Sequence, residues 1–200
     1  MISPITQTLL KTVTAGSSAP PLFFMTDPRI GDVRPIARAL PSQSAIIYRH
    51  FGHADRAAIA DDLRQIAFGG DHLFLVGADP QLAIACGADG VHFPQNDVAD
   101  AHIWKERIPE WFLSCAVHDM DSIIEANAAP LDAVILSPVF QSESPSAGTP
   151  LGVSGFINLA SLSSHPVIAL GGINRATLPH MSGSGAAGYA GVSMFLNDAD

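Results

Sequence analysis

Gly87-Ala88-Asp89-Gly90-Val91 is a joint: its first glycine closes a helix and its last two residues open a strand. Glycine just past a helix end takes the left-handed turn that the chain needs there. Gly185-Ala186-Ala187-Gly188-Tyr189 reads as the same joint near the end of the chain, and Leu131-Asp132-Ala133-Val134 as a weaker copy. Outward from these joints, short apolar runs rich in β-formers recur at Leu22–Met25, Ala45–Tyr48, Leu73–Val76, Gly90–Phe93, Phe112–Val117, Ala133–Leu136, Val167–Leu170 and Tyr189–Val192. Near-continuous apolar character predicts strands buried on both faces of a parallel sheet. Helix-compatible segments lie between them. Asp55–Phe68 carries Ala57, Ala58, Ile59, Leu63, Ile66 and Ala67 on a helical period, and Asp121–Ala129 carries Ile123, Ile124 and Ala128 behind an Asp or Ser able to cap it.

Eight units over 200 residues average 25 residues each, which predicts a single-domain α/β fold, the TIM (β/α)8 barrel. Such barrels are typically about 250 residues long, so this one is expected to be trimmed. After Val192 only eight residues remain, which predicts a truncated last helix. The expected division is an N-terminal extension over 1–21 and the barrel over 22–200. The segment Ile5–Val13, or a partner subunit in a homo-oligomer, is the candidate cover for the site that the last helix leaves open. The competing doubly wound open sheet lacks its glycine fingerprint, because Met25-Thr26-Asp27-Pro28 follows the first strand.

Composition narrows the function classes. Hydrophobic residues make up 48% of the chain and charged ones 14%, enough apolar surface to exclude a disordered polypeptide. A net charge of −9 leaves no basic footprint for nucleic acid. No apolar stretch is long enough to span a bilayer, and Ile2, Ile5, Leu9 and Leu10 lack the basic start of a signal peptide, so a cytoplasmic protein is expected. Cys86 and Cys115 are too few for a disulfide scaffold or zinc site and read as small buried hydrophobes. Only Lys11 and Lys105 are lysines. Chemistry that needs several lysines is already in difficulty.

A barrel of this kind carries its site at the C-terminal ends of the strands. The polar residues there are Thr26 and Asp27; Arg49 and His50; His92, Gln95 and Asp97; His118; Ser137, Ser142 and Ser144; Gly171, Gly172 and Asn174; and Ser193. Strand ends meet water, so part of this polarity needs no ligand to explain it. The loops after the seventh and eighth strands, Gly171-Gly172 and Gly191-Val192-Ser193, stand where these barrels hold phosphate, and glycines let backbone N–H groups approach its oxygens. A tight turn alone would also use the glycine pair. His118 shares the inward parity of Ser114 and Ala116, and an imidazole is a natural proton shuttle near neutral pH, although a lone histidine is more often structural.

Taken in order, Phe24-Met25-Thr26-Asp27, Gly87-Ala88-Asp89-Gly90-Val91-His92-x-x-Gln95-x-Asp97, His118, Ser137-Pro138-Val139-Phe140, Pro150-Leu151-Gly152, Pro166-Val167-Ile168-Ala169-Leu170-Gly171-Gly172-Ile173 and Gly185-x-x-Gly188 resemble the thiamin phosphate synthase / TenI family from about Leu22 to Phe195. The resemblance implies a small-molecule phosphate substrate, a thiazole phosphate held by Gly171, Gly172, Val192 and Ser193. It also implies substrate contacts from Arg49, His92, Gln95, Asp97, Ser142 and Ser144. The synthase branch captures a pyrimidine cation on the thiazole nitrogen as diphosphate leaves, and uses Mg²⁺ and several cations. The TenI branch aromatises a thiazole carboxylate phosphate by moving protons, with a histidine that aligns with His118 and without a metal.

Set against the synthase pattern, this chain departs at several positions. Gln-x-Arg-x-Lys after the second strand reads Ile47-Tyr48-Arg49-His50-Phe51, and Asn-Asp after the third, where the aspartate binds metal, reads Gly77-Ala78. The serine before the fifth-strand histidine aligns with Ala116, and the lysine after the sixth strand falls at Pro145. Asp97 is the only retained candidate ligand for Mg²⁺. The losses fall on the groups for diphosphate, metal and pyrimidine. The first expectation is therefore a thiazole tautomerase with His118 as acid/base, no metal or other cofactor, and Arg49 on the substrate carboxylate. The alternatives are a divergent synthase joining hydroxymethylpyrimidine diphosphate to thiazole phosphate, and a non-catalytic binder of a phosphate ligand. His50 and Phe51 mark a possible change of ligand.

Overall fold

The computed structural model describes residues 17–142 and 148–195. Eight parallel strands close into a barrel in chain order: β1 (Leu22–Met25), β2 (Ala45–Tyr48), β3 (Leu73–Gly77), β4 (Gly90–Phe93), β5 (Phe112–Val117), β6 (Ala133–Leu136), β7 (Val167–Leu170) and β8 (Gly188–Gly191), with β8 pairing back onto β1. The first six crossovers carry helices α1 (Arg34–Ala39), α2 (Arg56–Gly70), α3 (Pro80–Cys86), α4 (Asp100–Arg107), α5 (Met120–Asn127) and α6 (Gly152–Ala160). The seventh carries only a 3-10 turn at Leu178–Met181. Trimming thus falls on the seventh crossover. The expected last-helix truncation and the cover from Ile5–Val13 lie outside the described residues. No helix among the described residues is long and apolar enough to cross a membrane.

Local chemistry sets the helix ends. Asp79 caps α3 by accepting from Leu82 N–H at 3.0 Å, Pro80 starts it, and Gly87 ends it with φ +65°. Asp119, not Asp121, caps α5, in a reciprocal box with Ser122. Gly185 closes no helix: it has φ +79° but follows the 3-10 turn, so the late repeat shares a left-handed glycine with the first joint and not its helix. Asp89 and Asp132 play matching parts. Asp89 accepts from the N–H of Phe74 in β3 at 2.8 Å, and Asp132 from Leu113 in β5 at 2.8 Å. Each carboxylate ties the start of its own strand to an earlier strand, which gives the two joints their shared aspartate.

Alternation sorts each strand between two apolar layers. Phe24, Ile46, Tyr48, Phe74, Val76, Val91, Leu113, Cys115 and Val134 pack outward under the helices. Phe23, Met25, Ala45, Ile47, Leu75, Ala133, Ile135, Ile168 and Ala190 fill the barrel interior. Both layers are buried, which is why the strand sequences are apolar throughout. Fully burying one such side chain stabilises by about 1.5–3 kcal/mol. Cys115 is buried in the outer layer, whereas Cys86, expected to be buried, is only partly so at the end of α3.

Candidate active site

Stepping two residues beyond the last inward-facing strand position brings Asp27, Arg49, Gly77, Pro94, His118, Ser137, Gly172 and Val192 to one end of the barrel. All eight line a single cavity of about 770 Å³. Parity within each strand and parallel register between strands fix who meets whom. Met25 pairs with Ile47, so Asp27 and Arg49 emerge side by side; Val117 pairs with Leu136, so His118 emerges beside Ser137.

On the β1–β2 side, Thr26 holds Arg49. The Arg49 N–H donates to Thr26 Oγ1 at 2.9 Å, and its Nε donates to the Thr26 carbonyl at 3.2 Å. Burial lowers the Arg49 pKa, and the neighbouring Asp27 opposes that shift. Asp27 accepts from Arg29 through Nε at 2.9 Å and Nη2 at 2.5 Å, and these bonds bring its carboxyl down to about 2. Arg29 lines the cavity and was not legible as a site residue in the sequence. The available signal was the Asp-Pro pair before it, which starts a 3-10 turn and aims the following side chain back at the cap.

The floor carries His92. Its Nδ1 lies 3.0 Å from Ser114 Oγ, its register partner, and burial brings its pKa down to about 3, so it is neutral at physiological pH. His118 is exposed on the cavity wall, with Nδ1 2.8 Å from the Ser137 carbonyl oxygen. A carbonyl only accepts, so in the neutral ring Nδ1 carries the proton and Nε2 the lone pair.

The β7 and β8 loops close the ring next to β1, with Gly171, Gly172, Val192 and Ser193 on the wall and Ser142 also lining it. Gly171 and Gly172 have φ +102° and +64°. A Cβ on Gly172 would stand 2.3 Å from the Gln141 carbonyl oxygen, so the pair is required by the β6 loop packed against it as well as by any ligand.

Gln95, Asp97 and His50 fall off the cavity wall. Gln95 and Asp97 sit on a 3-10 turn after Pro94 (Gln95–Asp97), off the cavity wall, with Asp97 exposed; the strand ends at Phe93, and the turn breaks the alternation that would have carried them inward. Ser144 lies outside the described residues. His50 points the other way from Arg49: it is buried against the Tyr48 ring at 5.1 Å, so it does not face a ligand in this cavity. Phe51 does line the cavity, with Arg56 5.6 Å from its ring centre.

A magnesium ion is implied by the resemblance, and the residues do not fit one. Among the described residues no three His, Cys, Asp or Glu side chains come together to hold a metal. Asp97 is off the wall, Asp27 is engaged by Arg29, and Gly77 and Ala78 offer no side-chain donor. Space at Gly77 is also taken: a Cβ there would lie 3.1 Å from the Tyr48 carbonyl oxygen, 3.3 Å from Arg49 Cγ and 3.4 Å from Phe51 Cζ.

Comparison with known proteins adds to this geometry. A family model described as thiamine monophosphate synthase matches residues 22–195. A thiamine-phosphate synthase of Methanoculleus marisnigri is 29% identical over 187 residues, covering 90% of this chain and 89% of its own length. One from Chlamydia caviae is 30% identical over 145 residues, 72% of this chain and 68% of its own. Among solved structures, a thiamine phosphate pyrophosphorylase from Pyrococcus furiosus superposes with a TM-score of 0.75 at 26% identity, over 90% of this chain and 89% of that one.

Proposed function

The chain belongs to the thiamine monophosphate synthase family, and from that premise we propose that it is a transferase joining hydroxymethylpyrimidine diphosphate to thiazole phosphate. The names of its relatives favour this over the tautomerase that the residue losses pointed to first. The observation that carries the reading is that one cavity of about 770 Å³ has anion-receiving groups at two places on its rim: the β7 and β8 loops, and Arg49 at the end of β2. Two phosphorylated heterocycles need both.

The thiazole phosphate sits with its phosphate on Gly171, Gly172, Val192 and Ser193 and its ring against Ile135 and Leu170, which also line the wall. The pyrimidine diphosphate extends toward Arg49. The bond from its methylene carbon to the diphosphate oxygen breaks, the thiazole nitrogen supplies the pair that forms the new C–N bond, and the leaving oxygens take the negative charge. Arg49, fixed by Thr26 before the reaction, stabilises that charge where it develops. His92, neutral and tied to Ser114, offers the pyrimidine a hydrogen-bonding edge without a competing positive charge. No step is assigned to a metal, because the donor set does not form its site. Incubating the protein with both substrates is expected to yield thiamin phosphate and pyrophosphate, with loss of product in Arg49→Ala. Absence of product at high enzyme concentration would remove the reading.

One observation favours a second reading. The Ser137 carbonyl fixes the His118 tautomer that leaves a basic Nε2, an arrangement suited to moving a proton on a bound thiazole phosphate. Turnover of the thiazole carboxylate phosphate tautomer, lost in His118→Ala, would support it. Binding of thiazole phosphate with neither activity would instead identify a non-catalytic binder.

A further inference from the structure

Two guanidinium groups converge on one buried carboxylate at the β1–β2 rim of the cavity. Asp27 Oδ2 is 2.5 Å from Arg29 Nη2 and 4.0 Å from Arg49 Nη2, so the two nitrogens lie within 6.5 Å of each other. Arg29 spends its Nε–H and one Nη2 hydrogen on Asp27. The planar fork has five N–H donors, so three remain, directed away from the carboxylate. The Arg29 side chain is 56% exposed while Asp27 is 9% exposed, so the remaining donors are open to solvent at the cavity that Arg29 lines. Arg49 commits only its Nε, to the Thr26 carbonyl. One carboxylate between two arginines leaves a local charge of +1 in a chain whose net charge is −9.

We infer that Arg29 is a diphosphate-binding residue, forming with Arg49 an anion clamp that Asp27 and Thr26 hold open at the β1–β2 rim. The clamp supplies a second cation beside Arg49; among the described residues the one lysine, Lys105, is engaged with Asp132 and the Trp111 carbonyl near the start of β5. Two forks a few ångströms apart match the outer oxygens of a diphosphate better than a single phosphate, which one fork already satisfies. The diphosphate ester as natural ligand rests on the transferase reading; the anion preference of the rim does not.

The test is calorimetric binding of inorganic pyrophosphate and of inorganic phosphate to the whole protein. Wild type is expected to prefer pyrophosphate, and Arg29→Gln to lose about tenfold or more of pyrophosphate affinity while staying folded at the temperature of the titration. Arg29→Lys retains much of the affinity, and Arg38→Gln, at an exposed arginine off the cavity wall, leaves it unchanged. Because Arg29→Gln also bares the Asp27 charge, the double variant Asp27→Asn/Arg29→Gln is included: it stays weak if Arg29 binds the anion. Wild-type affinity in either Arg29→Gln or the double variant would overturn the inference, as would an equal loss in Arg38→Gln. Product assays on the same variants separate the two ideas. Arg29-dependent pyrophosphate binding without product retains the clamp and removes the transferase. Product formation equal in wild type and Arg29→Gln, with pyrophosphate binding unchanged, retains the transferase and removes the clamp.

Discussion

His118 Nδ1 lies 2.8 Å from the Ser137 carbonyl oxygen, across the adjoining ends of β5 and β6, while Ser122 Oγ accepts from the His118 backbone N–H at 2.9 Å. The side chain is held from one strand end and the main chain from the first turn of α5, and the carbonyl, which only accepts, selects the neutral tautomer with its proton on Nδ1. Nitrogen NMR of the labelled histidine is expected to report a protonated Nδ1 in the neutral ring; a protonated Nε2 would contradict the assignment. His118→Ala separates the two chemistries. It should cost about 10²–10⁴ in a tautomerase rate and far less in transferase turnover, where no proton moves through this ring.

His92 gives a pH prediction. Its folded pKa is about 3, depressed by burial, against an unfolded value of about 6.5. Between these values the unfolded chain binds the proton and the folded chain does not, so stability falls as pH drops from about 6.5 toward about 3. His92→Asn, which keeps a partner for Ser114, should flatten that part of the stability–pH curve. In wild type the His92 ring resonances should stay constant from pH 5 to 8; a titration in that window would contradict the burial argument.

Asp27 acts in the same direction at lower pH. Arg29 holds its folded pKa at about 2, below the unfolded value of about 3.9. The stabilisation is full above the unfolded value and disappears as pH falls through about 2. Urea unfolding of wild type and Asp27→Asn should therefore differ at pH 6 and converge near pH 2. A difference independent of pH would show that the carboxylate charge is not what stabilises the rim.

How much of this was legible in the sequence follows from the alternation. Eight apolar runs gave the strands to within one residue at their ends, because both faces of every strand are buried. The inward parity of Ser114 and Ala116 led correctly to the position of His118 on the cavity wall. Parity failed for Gln95 and Asp97, where Pro94 and the turn after it take the chain off the pleat. It also could not reach Arg29, which enters the cavity from a 3-10 turn and is aimed by Asp27, a contact between two residues that neither strand nor helix period describes.

Gly77 explains why the missing metal residues are not simply absent. Its Cβ position is crowded by the Tyr48 carbonyl, the Arg49 stem and the Phe51 ring. Gly77→Asn should destabilise the protein by about 1–3 kcal/mol, read by denaturant unfolding, and weaken pyrophosphate binding by displacing Arg49. Gly77→Asn/Ala78→Asp should not create a tight Mg²⁺ site; micromolar Mg²⁺ affinity in that variant would show that the rim has more room than these distances allow.

If the cavity joins two phosphorylated heterocycles, a single-turnover reaction with enzyme in excess over hydroxymethylpyrimidine diphosphate and thiazole phosphate, in Mg²⁺ buffer, followed by mass spectrometry, gives thiamin phosphate and pyrophosphate in equal amounts, with both lost in Arg49→Ala. Intact substrates after prolonged incubation, in a protein that still binds thiazole phosphate, would contradict it.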